Sequence, residues 1–155
     1  TINLKHPRGL ALVKRLLAVS DVVVENFSAR VMDGLGLGWA AIREANPRII
    51  YASMSGFGHS GPYRAWPSFN MPLQALSGLS FLTGFPDQGP RVIGNSWADF
   101  VAGLQATVAI LAALDRRTRT NEGEWLDLSQ FYEEVYTEIG LSREEVQALK
   151  SAGVM

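Results

Sequence analysis

The run Gly94-Asn-Ser-Trp-Ala-Asp-Phe-Val-Ala-Gly103 continues through apolar sequence to Leu114 and then into Arg116-Arg-Thr-Arg-Thr120. It predicts one long helix over Trp97 to Arg116 with a single carboxylate, Asp99, in the first turn. The apolar part, Phe100 to Leu114, is shorter than the about 20 residues a bilayer span takes, so it reads as a helix buried in a globular core. Asp is common at helix starts, where its charge meets the positive end of the macrodipole and its oxygens accept free amide hydrogens. A carboxylate held ionised there, between Trp97 and Phe100, is equally suited to act as an oxygen nucleophile. The residue alone favours the structural explanation, and the rest of the chain must decide.

Helix is predicted from about Pro7 to Val19, with Leu10, Val13, Leu16 and Leu17 on one face. Asp21 to Glu25 follows as a strand, and its continuous Val22-Val-Val24 is the pattern of a parallel strand covered on both faces. Helical turns at Ala29 to Asp33 and Trp39 to Ala45 flank Gly34-Leu-Gly-Leu-Gly38, and Arg48 to Ser53 is a second buried strand. Gly56 to Pro67 is a loop dense in Gly and Pro, at a strand end where open α/β sheets bind ligands. Asn70 to Leu79 is helical and Trp125 to Leu128 a third strand. This alternation predicts an α/β fold, part of a doubly wound parallel sheet.

The 155 residues are 47% hydrophobic, enough for a core, and the formal charge of −1 offers no basic excess for nucleic acid or an anionic membrane. Neither partner is expected. Arg116, Arg117 and Arg119 form the one dense basic patch, and at a helix end they read as a solvated cap. The absence of cysteine rules out disulfides, thiolate catalysis and Cys-ligated metal. No signal peptide is read in Thr1 to Arg8, and a cytoplasmic location is expected.

Other constellations favour plain structural roles. Gly34 to Gly38 lacks the dinucleotide spacing and reads as a turn between helices. Gly58-His-Ser-Gly61 faintly resembles a hydrolase elbow, but Pro62 stands where a glycine is needed, so Ser60 reads as a turn residue. His6 and His59 are too isolated to form a metal site. Trp39, Trp66, Trp97 and Trp125 read as core or interface aromatics. Glu133, Glu134, Glu138, Glu144 and Glu145 read as a solvated helical face.

Asp21-Val-Val-Val-Glu-Asn26-Phe27, Leu35-Gly-Leu-Gly38, Asn46-Pro-Arg-Ile-Ile-Tyr-Ala-Ser53, Ser55-Gly-Phe-Gly58, Ser60-Gly-Pro-Tyr63, Gln74-Ala-Leu-Ser-Gly78, Ala98-Asp99, Ala112-Ala-Leu114 and Asp127-Leu-Ser-Gln130 occur in one order and spacing. Together they resemble the class III CoA-transferases, the CaiB/BaiF group of formyl-CoA transferases and methylacyl-CoA racemases, from Thr1 to about Phe131. Each motif is weak, whereas their shared order is specific. The resemblance implies CoA transfer between an acyl-CoA thioester and a small carboxylic acid, through an aspartyl anhydride and an aspartyl thioester at Asp99. Coenzyme A would be a substrate and no cofactor or metal permanently bound. Asn26, Phe27 and Ser28 would touch CoA, and Pro67, Ser68, Phe69 and Asn70 would line its pantetheine arm.

The family also forms interlocked homodimers, so the resemblance implies one. Residues 1–131 match the central part of the large domain. The stretch 132–155 resembles the family's C-terminal tail helix, with a capping box of Ser142 and Glu145. The small domain is missing between them, as are the first strand-helix units, which implies a truncated and internally deleted homologue. The alternative is a non-catalytic truncated remnant with an α/β core and a dimerisation role. Racemisation is disfavoured because the racemase branch has a histidine base where Phe69 stands. The family often has arginine at Ser28 and a phosphate-contacting arginine at Gly34, so a diphosphate contact here would fall to Arg30.

Overall fold

The structure, a computed structural model, describes residues 1–129. The order is α1 (Pro7–Leu17), β1 (Val22–Glu25), α2 (Val31–Gly34), α3 (Trp39–Ala45), β2 (Ile50–Ser53), α4 (Asn70–Leu76), α5 (Leu79–Leu82), α6 (Trp97–Thr120) and β3 (Glu124–Asp127). The tail helix and acidic face expected beyond Phe131 lie outside the described residues.

The three strands form one parallel sheet in the order β1-β2-β3, with Val22 paired to Ile50 and Ile50 to Glu124. Central β2 is buried throughout. Successive side chains of a strand face opposite ways, and both faces are covered. Ile49 and Tyr51 join Leu17, Met32, Leu37 and Ile42 in the core beneath α1 and α3. Ile50 and Ala52, fully buried, face the other way toward α6, which packs on β2 and β3. Helices on both faces of a parallel sheet are the doubly wound arrangement. Strand β1 is less enclosed than the valine run predicts: Val24, on the same face as Ala52, is exposed, because α6 packs over β2 and β3.

Helix α6 departs from expectation in three ways. It runs to Thr120, where Asn121 at φ 62° ends it in the left-handed conformation. By length and composition its 24 residues suffice to cross a membrane, a length the apolar core Phe100–Leu114 understates. It is also buried along a narrow stripe only. Ala98, Ala102, Ala106 and Ala113 meet the protein, their small side chains allowing close approach to the sheet. Phe100, Leu104, Val108 and Leu111 are 64%, 71%, 68% and 61% exposed. The apolar pattern gives the helix but not which face is covered.

Arg116 and Arg119 of the predicted solvated cap are exposed, but Arg117 is a staple. The Arg117 side chain is 12% exposed, donates to the carbonyls of Asp21 (3.2 Å) and Arg48 (3.1 Å), and pairs with the Asp21 carboxylate at 2.8 Å. Arg116 pairs with Glu124 at 3.2 Å and Arg119 with Asp115. Because Asp21 and Arg48 precede β1 and β2, Arg117 fixes the last turns of α6 at the amino edge of the sheet. The eighteen residues back to Asp99 rise roughly 27 Å, whereas a four-residue strand spans roughly 13 Å. The first turn of α6 therefore stands beyond the carboxyl edge.

Candidate active site

Three segments meet the carboxyl side of the sheet: the turn after β1, the loop after β2 with the start of α4, and the start of α6. Asn26, Phe27 and Ser28 leave β1 exposed to solvent. Their backbone is oriented by Glu25, a buried carboxylate whose Oε2 accepts the Phe27 amide at 2.7 Å and whose Oε1 accepts the Tyr51 hydroxyl at 3.1 Å. Burial first, and then the charge and hydrogen bond of Glu25, push the Tyr51 phenol well above its ordinary range, so it remains a donor. Sequence reasoning did not single out this pair, since its members are 26 residues apart.

In the second segment, Pro67 and Phe69 are exposed and Ser68 and Asn70 half-buried. Ser68 lies so close to Gly56 that a Cβ there would collide with its Cβ and Oγ, so a side chain at 56 would displace the segment. Helix α4 opens at Asn70 and stops at Leu76. Gly78, at φ 78°, separates it from α5, which divides the single helix expected over Asn70 to Leu79. Gly36, at φ 69°, likewise makes the turn expected between α2 and α3.

Asp99 is exposed in the first turn of α6 and enters none of the ion pairs among the described residues. The amides ahead of and beside it are taken: Trp97 N–H donates to Asn95 O (2.9 Å), Ala98 N–H to Asn70 Oδ1 (3.4 Å), and those of Asp99 and Phe100 to Ser96 O (3.0 and 3.2 Å). These helix-start amides are therefore not idle oxyanion donors. Of the sequence-predicted residues, Asn70 and the turn bearing Asp99 are joined directly. The remaining predicted residues lie on neighbouring segments.

A second polar cluster lies over the sheet. Tyr51 stacks between Trp39 and Trp125 with ring centroids 6.3 and 6.1 Å away, and His59 meets Trp125 edge-on at 5.4 Å. These residues line a cleft of about 170 Å³ with Arg30 and Asp33. Trp125 Nε1–H donates to Ser53 Oγ (2.7 Å), Ser53 Oγ lies 3.5 Å from His59 Nδ1, and His59 Nδ1 lies 3.0 Å from Asp127 Oδ1. Serine and aspartate thus face the same ring nitrogen, whereas a nucleophilic triad needs them on opposite nitrogens. The cluster fastens the Gly58-His59 loop to β3, where Asp127 also accepts the His59 amide at 3.1 Å. His59 therefore has a partner, which its isolation in sequence concealed.

The sequence profile described as CoA-transferase family III matches residues 1–139. The beta subunit of succinyl-CoA–L-malate CoA-transferase from Chloroflexus aurantiacus is 38% identical over 137 residues, covering 88% of this chain and 34% of its own length. Acetyl-CoA:oxalate CoA-transferase from Acetobacter aceti is 41% identical over 131 residues, covering 84% and 34%. A solved CaiB/BaiF family protein from Brucella suis superposes with a TM-score of 0.82 at 35% identity, over 99% of this chain and 39% of its own. The chain belongs to CoA-transferase family III, and it spans about a third of the length of these curated relatives.

Proposed function

We propose that this chain carries the nucleophile and part of the CoA site of an enzyme that moves CoA from an acyl-CoA to a carboxylic acid. The observation that carries the reading is Asp99: a carboxylate without an ion-pair partner among the described residues, in the first turn of α6, beyond the carboxyl edge of the sheet. Related transferases act on succinyl-, acetyl- and formyl-CoA with malate or oxalate, which supports a short acyl-CoA and a small carboxylic acid as the substrate class proposed for this one. Asn26, Phe27 and Ser28 contact CoA, and Pro67, Ser68, Phe69 and Asn70 line its pantetheine arm. Arg30, which enters none of the ion pairs among the described residues, meets the diphosphate. The enzyme works as a homodimer in the cytoplasm.

The chemistry suits a carboxylate. One Asp99 oxygen attacks the thioester carbon, the C–S bond breaks, and CoA thiolate leaves a mixed anhydride. The thiolate then attacks the Asp99 carbonyl, releasing the donor acid with an Asp99 oxygen and forming an aspartyl thioester. The acceptor carboxylate displaces CoA to make a second anhydride, and the thiolate takes the new acyl group, freeing Asp99. With the start of α6 occupied, oxyanion stabilisation falls to amides of the glycine-dense loop after β2. Phe69 has no proton to exchange, which favours transfer over racemisation.

Oxygen tracing tests this sequence in a protein extended to the length of its relatives. With an ¹⁸O-labelled acceptor, label should enter Asp99 in one turnover and leave in the donor acid of the next. Direct transfer without the anhydride would leave the donor acid unlabelled.

A non-catalytic reading rests on the apolar face of α6, where four large residues in succession are mostly exposed. Such a face needs a cover in solution. In this reading the isolated chain associates through it and turns over no substrate.

A further inference from the structure

We propose that Gln74 is a positioning residue for Asp99, acting with Asn70 as a cap supplied to α6 from another helix. The inference rests on Asp99 being the nucleophile.

Gln74 is 1% exposed and lies one turn after Asn70 on α4. A buried primary amide needs two acceptors and a donor, and Gln74 has them. Its Nε2 donates to Asn70 Oδ1 (3.0 Å) and reaches Ile93 O (3.4 Å) and Asn95 O (3.3 Å), while its Oε1 accepts the Ile93 amide at 2.8 Å. The side chain thus pairs with both backbone groups of Ile93, as a neighbouring strand would. Asn70 adds a bond from Nδ2 to Asn95 O (3.2 Å) and accepts the Ala98 amide at Oδ1.

That last bond is the informative one. A serine at the N-cap normally accepts the N2 or N3 amide with its own hydroxyl. Ser96 stands at the N-cap of α6, yet its side chain makes no cap bond, and the N2 amide, Ala98, goes to Asn70. The cap comes from α4, and Gln74 holds the capping side chain in place. Asp99, at N3, is where a capping-box carboxylate would fold back onto the helix start. Among the described residues no hydrogen bond ties its carboxylate to the helix start, where Asn70 caps the neighbouring amide from outside. The anchor is made of neutral amides, so it adds no negative charge beside the nucleophile.

Two variants test this. Gln74→Met keeps much of the volume and removes every hydrogen bond; Gln74→Glu keeps the shape and the acceptor for Ile93. In the 155-residue chain, amide exchange at Ile93 and Ala98 should quicken at least tenfold in the methionine variant, with Ala52 in β2 unchanged. The glutamate variant should loosen Ala98 while sparing Ile93, and it serves if the methionine variant loses its fold. In the protein extended to the length of its relatives, either folded variant should lower kcat at least tenfold with KM for acyl-CoA within twofold. Wild-type exchange at Ala98, or an unchanged kcat, in a folded variant would overturn the proposal. Exchange does not depend on turnover, so failure of the anchor would leave Asp99 standing. Undiminished transfer by Asp99→Ala would remove the nucleophile and leave the anchor.

Discussion

The Arg117 guanidinium reaches Asp21, 96 residues away in sequence, and binds both its carboxylate at 2.8 Å and its backbone carbonyl at 3.2 Å. This contact fixes one end of α6 and so decides where Asp99 stands. The carboxylate is largely exposed, and an exposed ion pair is worth about 1 kcal/mol or less. The two carbonyls, of Asp21 and Arg48, take charge-assisted hydrogen bonds from a shielded side chain, each worth about 1.5–3 kcal/mol. Arg117→Ala should therefore cost at least about 2 kcal/mol in urea unfolding, and Asp21→Asn less than about 1 kcal/mol. Equal losses would place the stabilisation in the ion pair.

Tyr51 and Glu25 set a pH dependence at the alkaline end. The phenol is raised in the folded state, so its proton favours folding. The stabilisation is whole below about pH 10, where the phenol is protonated in both states, and is lost as pH rises from there toward the folded-state value. Tyr51→Phe should cost about 1.5–3 kcal/mol at pH 7 by stranding a carboxylate oxygen. Its deficit relative to the wild type should shrink between pH 10 and 11. Parallel stability curves across that range would contradict this.

Much of the fold is legible in the chain. Apolar runs and glycine positions mark β1, β2, β3, α1 and α3 because those signals are local. What was missed depends on distant contacts. The apolar sequence of α6 does not reveal that alanines face the sheet while Phe100, Leu104, Val108 and Leu111 face out. Arg117 looks like any basic residue at a helix end until Asp21 is beside it. His59 finds Asp127 across 68 residues, and Gln74 finds Ile93 across 19. The family resemblance singles out Asp99 and Asn70, but the bond from the Ala98 amide to Asn70 is a property of the folded chain.

Gly34 offers a gain-of-function test. It ends α2, its backbone is not in the left-handed region, and a Cβ added there would meet nothing within 4 Å. The resemblance puts a phosphate-contacting arginine at this position. Gly34→Arg should keep the fold and tighten CoA binding about tenfold at low salt, the worth of one charge-assisted contact. Equal tightening toward pantetheine, which lacks the diphosphate, would show that the arginine acts elsewhere.

Phe69 bears on the reaction type. It is 75% exposed at the start of α4 and carries no exchangeable proton. A transferase extended to family length should move CoA without washing deuterium from heavy water into the α-carbon of a 2-methylacyl-CoA, as followed by proton NMR. Deuterium entry as fast as transfer would establish racemase chemistry through another base.

The most direct measurement is chemical trapping at Asp99. The protein, extended to the length of its relatives, is incubated with acyl-CoA, quenched with hydroxylamine and digested for mass spectrometry. An aspartyl anhydride or thioester leaves a hydroxamate on the peptide containing Ala98-Asp99. Label on Asp99, dependent on acyl-CoA and coupled to loss of transfer in Asp99→Ala, is the expected result. Undiminished turnover by Asp99→Ala, or label on a different carboxylate, would contradict the account.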